Sequence, residues 1–220
     1  MKAANSAQVA FDKIVTLPTR TWHTACVLQK ASQNRSSNMN RLNQLDPARA
    51  TGKTKELFDA AQKRFGTVPN LIRVLGNSPA ALAACLQLGD TLDAGSFNAK
   101  LREQIALAVA ETNMCGYCLS AHAFMGSKVG LTQDEIVGAR HAHATVEKTD
   151  AILMLARAIV VQRGEVSDSD LKQARIAGLT DGDIVETVAN TVLNIFTNYV
   201  NHIAQTVVDF PELKPGNGQS

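Results

Sequence analysis

Residues 101–122 read LREQIALAVAETNMCGYCLSAH and hold two helix-forming segments with a short polar turn between them. Apolar residues of the first segment recur at steps of three and four, at Leu101, Ile105, Ala108 and Val109. This spacing is typical of one face of an α-helix. The second segment follows after a few residues, so we expect two consecutive helices that fold back on each other as an antiparallel pair.

The second segment carries a Cys-x-x-Cys-x-x-x-His cluster formed by Cys115, Cys118 and His122. Residues three apart in a regular helix are too far separated for a disulfide, so we expect Cys115 at the relaxed first turn, with slack supplied by Gly116. A helix N-terminus stabilises a thiolate. His122 lies one turn beyond Cys118, within reach to accept its proton. The cluster therefore indicates redox chemistry.

The antiparallel pairing predicts an acidic partner for His122. Helices with equal rise on both sides of the turn bring together positions whose numbers add up to about 225. Glu103 then faces His122, which suggests a relay in which Glu103 orients His122 and His122 deprotonates Cys118. Glu111 is the competing acid, nearer to Cys115 in the same construction.

The rest of the chain predicts a single all-α domain. Its 220 residues are 45% hydrophobic, and no alternating apolar pattern asks for a sheet. Helices are expected at Pro79 to about Leu92, Ala99 to about Asn113, Val146 to Gln162 and Thr180 to about Val207, with N-caps at Ser78, Asn98, Thr132 and Ser167. The last helix carries two series at helical spacing. The apolar series indicates core or a subunit contact, and comprises Ile184, Val188, Val192, Ile195, Tyr199 and Ile203. The other series, Asn190, Asn194, Asn198 and Asn201, suggests a wet or functional face.

Residues 1–38 differ from the remainder. Five basic residues face one acid there, a segment charge of +4, whereas the whole chain carries +2. The segment is interpreted as an N-terminal extension that is disordered, a leader, or sequence upstream of a true start at Met39, with the domain proper at residues 39–220. Scattered basic residues argue against nucleic acid, and the lack of a long apolar run argues against a membrane span. A cytoplasmic protein is expected.

The residues Leu101 to Glu111, followed by Cys115, Cys118 and His122, resemble the core of the alkylhydroperoxidase D (AhpD) family. They also resemble peroxidase-related members of the carboxymuconolactone decarboxylase superfamily, and the likeness extends from about Asp46 to Pro211. It implies a helical bundle that forms homo-oligomers and, with no cofactor, reduces hydroperoxides.

The resemblance also implies residue roles. Cys118 would be the peroxidatic thiol, Cys115 the resolving thiol, and Glu103 with His122 the proton relay. A dithiol, either a lipoyl group or a thioredoxin-like protein, would reset the pair. Tyr117 stands where the family enzyme carries a second histidine, which leaves substrate preference and rate open.

Two alternatives remain at this level. Cys115, Cys118 and His122 are also possible zinc ligands, with His141, His143 or His202 as a fourth, in a metal-binding or interaction module. A non-redox decarboxylase of the same superfamily is the other alternative. Cys26 and Cys85 show no partner chemistry and are interpreted as incidental or core residues, whereas His202 is expected to be structural or at an interface.

Overall fold

The computed structural model describes residues 41–216, so the predicted extension 1–38, Met39 and Cys26 lie outside the described residues. Within them the regular structure consists of helices, which confirms the all-α prediction. The helices are α1 Gly52–Phe65, α2 Asn70–Leu75, α3 Pro79–Asp93, α4 Ala99–Thr112, α5 Gly116–Lys128, α6 Gln133–Arg140, α7 Glu147–Val161, α8 Asp168–Ile176 and α9 Asp181–Ala204.

The predicted N-caps are present at the starts of the helices. Ser78 and Asn98 accept hydrogen bonds from backbone N–H groups at the start of α3 and α4. Thr132, Ser167 and Thr180 each form a reciprocal capping box with an acid three residues later. The expected end of α9 near Val207 is wrong. The helix stops at Ala204 because Gln205 takes a left-handed conformation with φ of 50°, which ends the helical path.

Helix α4 is the centre of the main hydrophobic core. It packs against α5, α6, α7 and α9, and all seven residues from 104 to 110 are buried. A second group of buried side chains joins α1, α2 and α3 and comprises Phe58, Ala61, Ile72, Leu75 and Leu82. Helix α9 contacts both α3 and α4 and so joins the main core to this second group. A cavity lies between the two, and the candidate site is located there.

Helix α9 places its polar residues inside and much of its apolar series outside. The polar side chains buried here are Thr187, Asn190, Thr191, Asn194, Asn198 and Asn201. Exposed apolar side chains are Val185, Val188, Val192, Phe196, Tyr199 and Ile203. Only Ile184 and Ile195 of the predicted series pack against the core. The core interpretation is therefore wrong for the other four members, and the subunit-contact interpretation stays a prediction.

The C-terminal segment 205–216 is fastened over the start of α5. Leu213 N donates to Ser120 Oγ at 2.8 Å, and Gly216 N donates to Glu111 Oε1 at 2.6 Å. Arg140 donates both to Glu111 Oε2 at 2.8 Å and to the Lys214 carbonyl at 3.0 Å. These bonds tie the segment to α4, α5 and α6 at once.

Between residues 41 and 216, no helix has both the length and the apolar character that a bilayer crossing requires.

Candidate active site

A three-residue reversal joins α4 to α5 and positions the first thiol. Cys115 N donates to the Ala110 carbonyl at 2.8 Å, which closes the end of α4, and Cys115 is at the same time the N-cap of α5. The prediction that Gly116 supplies the conformational freedom at this turn is wrong, because Gly116 is already the first residue of α5. The unusual backbone angle lies instead at Met114, with φ of 57°.

Both thiols of the motif are free, buried and adjacent. Their sulfur atoms are 2.6 Å apart, and the Cys118 N–H donates to Cys115 Sγ at 3.3 Å. The hydrogen bond from the Cys118 thiol lowers the pKa of Cys115 against the opposing effect of burial. The backbone N–H groups at the helix start and the charge of His122 lower it further. Cys115 is therefore the first thiol of the pair to ionise.

Cys118 is equally buried and keeps its proton when Cys115 is charged. Burial raises the pKa of Cys118 well above its ordinary value, and the neighbouring Cys115 raises it further. Hydrogen bonds from Asn201 and Asn198 act in the opposite direction. Asn201 Nδ2 lies 3.2 Å from Cys118 Sγ. As the pH rises, Cys118 is therefore the thiol of the pair that keeps its proton longer.

Glu103 and His122 are brought together as the antiparallel pairing predicts. His122 Nδ1 lies 2.8 Å from Glu103 Oε2, and both side chains are about one-fifth exposed. A carboxylate only accepts hydrogen bonds, so Nδ1 carries the hydrogen and Nε2 is the nitrogen left for proton exchange. The described contacts link His122 to the thiol pair through its charge acting on Cys115.

Glu111 and Tyr117 have structural partners instead of a place in the relay. Glu111 pairs with Arg140 and the C-terminal segment. The Tyr117 hydroxyl accepts a hydrogen bond from Leu71 N at 3.1 Å and also interacts with Asp209. Burial raises the pKa of Tyr117, so the phenol stays protonated at neutral pH. Its ring packs edge-on against Phe210.

A cavity of about 220 Å³ opens beside Cys118. Its wall includes Tyr117, Cys118 and His122 from α5, and Cys115 is not part of it. Most of the remaining lining is apolar and comes from α1, α2, α3, α9 and Phe210. This volume is room for a small organic molecule.

Ion pairs stand among the residues that line this cavity. Arg64 pairs with Asp90 and Asp93, and Arg102 pairs with Asp93 at 3.0 Å. Arg64, Asp93 and Arg102 all belong to the lining. The cavity therefore combines apolar walls with a charged region in which the cations already have carboxylate partners.

Cys85 is the lining residue that sequence reasoning missed. It shares the cavity with Cys118, whereas the sequence suggested an incidental or core position. Burial raises its pKa to about 11, although the charge of Arg64 opposes this. Cys85 therefore stays a thiol at neutral pH. No sequence signal links it to the motif, because only the packing of α3 against α9 brings it here.

The histidines suggested as a fourth zinc ligand are not assembled with the thiols. His143 Nδ1 lies 2.9 Å from Asp150 Oδ1, and His202 Nε2 donates to the Asn113 carbonyl at 2.9 Å. His141 is exposed at the end of α6. Across residues 41–216, no three His, Cys, Asp or Glu side chains converge to hold a metal ion. The contact of His202 agrees with its predicted structural role.

Residues 79–162, from α3 to the end of α7, match the carboxymuconolactone decarboxylase family. An alkyl hydroperoxide reductase of Mycobacterium tuberculosis is 30% identical over 95 residues. This match covers 43% of the chain and 28% of the relative. The chain thus spans little more than a quarter of that relative's length.

Solved structures share the fold. A peroxidase-related protein of Ralstonia eutropha, described as an AhpD core, superimposes with a TM-score of 0.68 at 22% identity, over 79% of this chain and 94% of that one. The debrominase Bmp8, in complex with 2,3,4-tribromopyrrole, gives a TM-score of 0.67 at 18% identity, over 80% and 94%. At these identities the likeness concerns the fold alone.

Proposed function

We propose that the chain is a thiol-dependent peroxidase that reduces organic hydroperoxides through Cys115 and Cys118, in keeping with the match of residues 79–162 to the carboxymuconolactone decarboxylase family. The observation that carries the proposal is the position of Cys118. Its thiol lines an apolar cavity and lies 2.6 Å from a second thiol, with the His122–Glu103 pair in the same cavity wall. An apolar cavity suits the organic part of a hydroperoxide better than hydrogen peroxide alone.

The proposed cycle starts from the pair with its charge on Cys115. The Cys118 proton moves to Cys115, and the Cys118 sulfur attacks the terminal oxygen of the hydroperoxide. The O–O bond breaks, Cys118 becomes a sulfenic acid, and the departing alkoxide takes a proton from the protonated imidazole of His122 to leave as an alcohol. After the pair is reduced again, Cys115 returns a proton to His122 and restores the starting state. Glu103 holds the imidazole during this transfer.

Cys115 then closes the cycle. Its sulfur attacks the sulfenic acid, water leaves, and a Cys115–Cys118 disulfide forms. An external dithiol reduces this disulfide through a mixed disulfide and is itself oxidised. The balance is one hydroperoxide and one dithiol consumed, with one alcohol, one water and one oxidised dithiol formed. A lipoyl group or a thioredoxin-like protein has the required chemistry.

Single cysteine variants test the proposal. Cys118→Ser and Cys115→Ser are each expected to abolish turnover of cumene hydroperoxide with a dihydrolipoyl substrate as reductant. Cys85→Ser is the matched control, since its half-buried thiol lines the same cavity yet stays protonated. It is expected to keep turnover. Full activity of Cys118→Ser would contradict the proposal.

A non-redox decarboxylase is the alternative within the superfamily. That chemistry has no evident use for two adjacent buried thiols. Turnover of a lactone substrate by a Cys115→Ser/Cys118→Ser double variant would favour this alternative. If the double variant turned over neither the lactone nor a hydroperoxide, the alternative would be excluded.

A further inference from the structure

Helix α9 carries four buried asparagines, and two of them differ from the others. Asn190 Nδ2 and Asn194 Nδ2 each donate to a backbone carbonyl one turn earlier in the same helix, at 2.9 Å. Asn198 and Asn201 instead direct their side chains away from α9. Buried amides are costly unless they are hydrogen-bonded, so the partners of these two residues call for an explanation.

Asn201 uses its amide nitrogen on the sulfur that lines the cavity. Asn201 Nδ2 lies 3.2 Å from Cys118 Sγ, while Asn201 Oδ1 is buried and has no hydrogen-bond partner among the described residues. The side chain thus makes one polar contact in a buried site, and that contact is to Cys118. A donor placed in this way favours the charged form of the thiol over the neutral form.

Asn198 is held with its amide nitrogen free. Asn113 Nδ2 donates to Asn198 Oδ1 at 2.9 Å, which fixes the amide from the reversal that precedes Cys115. The nitrogen of Asn198 is buried and has no hydrogen-bond partner among the described residues. The Asn198 side chain lowers the pKa of Cys118, so this unpaired N–H group is the donor available to negative charge on the sulfur.

We propose that the side-chain amides of Asn198 and Asn201 are hydrogen-bond donors that stabilise negative charge on the Cys118 sulfur and thereby make Cys118 the attacking thiol. Neither asparagine lines the cavity. A hydroperoxide in the cavity therefore approaches Cys118 from a side that these residues do not occupy.

The proposal rests on the proposed function and explains one step of it. In the proposed cycle the charge starts on Cys115, which is the N-cap of α5 and lies outside the cavity wall. When the Cys118 proton passes to Cys115, the negative charge moves to the Cys118 sulfur. There the amide N–H groups of Asn198 and Asn201 stabilise it. Net charge is unchanged by this transfer, so the buried site gains no additional ion.

The test uses a Cys115→Ser background, in which Cys118 is the remaining thiol of the motif. Serine is a good N-cap, so this change keeps the start of α5. The titratable and charged groups that line the cavity with Cys118 are the same in every variant, and comprise Tyr117, His122, Glu103, Cys85, Arg64, Asp93 and Arg102. Alkylation of Cys118 by iodoacetamide is followed against pH by peptide mass spectrometry.

Asn201→Ala is expected to raise the apparent pKa of Cys118 and slow its alkylation at pH 7 by about tenfold to a hundredfold, the effect of losing one hydrogen bond to a charged group. Asn201→Asp keeps the size but removes the donor, and is expected to slow the reaction at least as much. Asn198→Ala is a second, independent variant with the same expected direction.

Thr191→Val is the matched control, because Thr191 is fully buried on α9 and its hydroxyl has no partner in the described part of the chain. It is expected to leave the alkylation profile unchanged. An alkylation rate of Asn201→Ala or Asn198→Ala within threefold of the parent would overturn the proposal, as would a rate in Asn201→Asp equal to the parent. Alkylation needs no peroxide, so the two proposals fail separately. A wild-type protein that does not turn over peroxide would count against the proposed function, and not against the role of the two asparagines.

Discussion

Replacing Arg140 by leucine removes the cation that fastens the C-terminal segment over the thiol helix. Arg140 is buried, and its guanidinium donates to Glu111 Oε2 at 2.8 Å and to the Lys214 carbonyl at 3.0 Å. Removing one member of a buried ion pair costs about 3–5 kcal/mol, because the other charge is left unpaired. Glu111 keeps its bond from Gly216 N, so we expect a loss near the lower end, about 3 kcal/mol.

Urea unfolding monitored by circular dichroism gives the free energy of unfolding for this variant. Arg175→Leu is the control, since its ion pair with Asp181 is exposed and worth less than about 1 kcal/mol. A Glu111→Leu/Arg140→Leu double variant removes both charges and is expected to recover part of the lost stability. A loss below about 1 kcal/mol for Arg140→Leu would refute the assignment of this pair as the anchor of the segment.

Three further predictions concern the site and the outer face of α9. Glu103→Gln is expected to lower peroxide turnover at pH 7 about a hundredfold through loss of the negative charge that stabilises protonated His122, with unchanged helicity; steady-state kinetics within threefold of wild type would contradict it. Because the pKa of Cys85 is raised to about 11 whereas that of Cys115 is lowered, Cys115 is expected to react with iodoacetamide at pH 8 while Cys85 does not; comparable labelling of both would contradict the two directions. We propose that the exposed apolar side chains of α9 contact a second copy, so Val192→Glu is expected to lower the mass found by light scattering and Met154→Glu, on exposed α7 surface, is not; a monomeric wild type would contradict this.

Local sequence signals predicted most of the helix starts and one contact of the site. Ser78, Asn98 and Thr132 cap their helices through bonds to residues three positions away, so a few residues contain all the information required. The Glu103–His122 contact was also predictable, because a short reversal and equal helical rise determine which residues of α4 and α5 lie level.

Features that depend on distant packing could not be read from the sequence. Periodicity identified a polar and an apolar face of α9 but could not show which one is buried. The polar face is buried because it packs where α4 and α5 form the candidate site, and not in a general hydrophobic core. The pairing of Glu111 with Arg140 joins residues in α4 and α6, and Cys85 reaches the cavity only through the position of α3. The raised pKa of Cys118 likewise comes mainly from its burial by distant parts of the chain, whereas the position of Cys115 at the start of α5 was predicted.

The proposed function depends most directly on the fate of the two sulfur atoms in a single turnover. Reduced protein is mixed with one equivalent of cumene hydroperoxide without reductant, and the thiol-containing peptides are analysed by mass spectrometry. The wild type is expected to lose the mass of two hydrogens through a Cys115–Cys118 disulfide, and Cys115→Ser is expected to gain one oxygen on Cys118. Unchanged thiols in the wild type, or oxygen on Cys115 in a Cys118→Ser protein at the wild-type rate, would contradict the account.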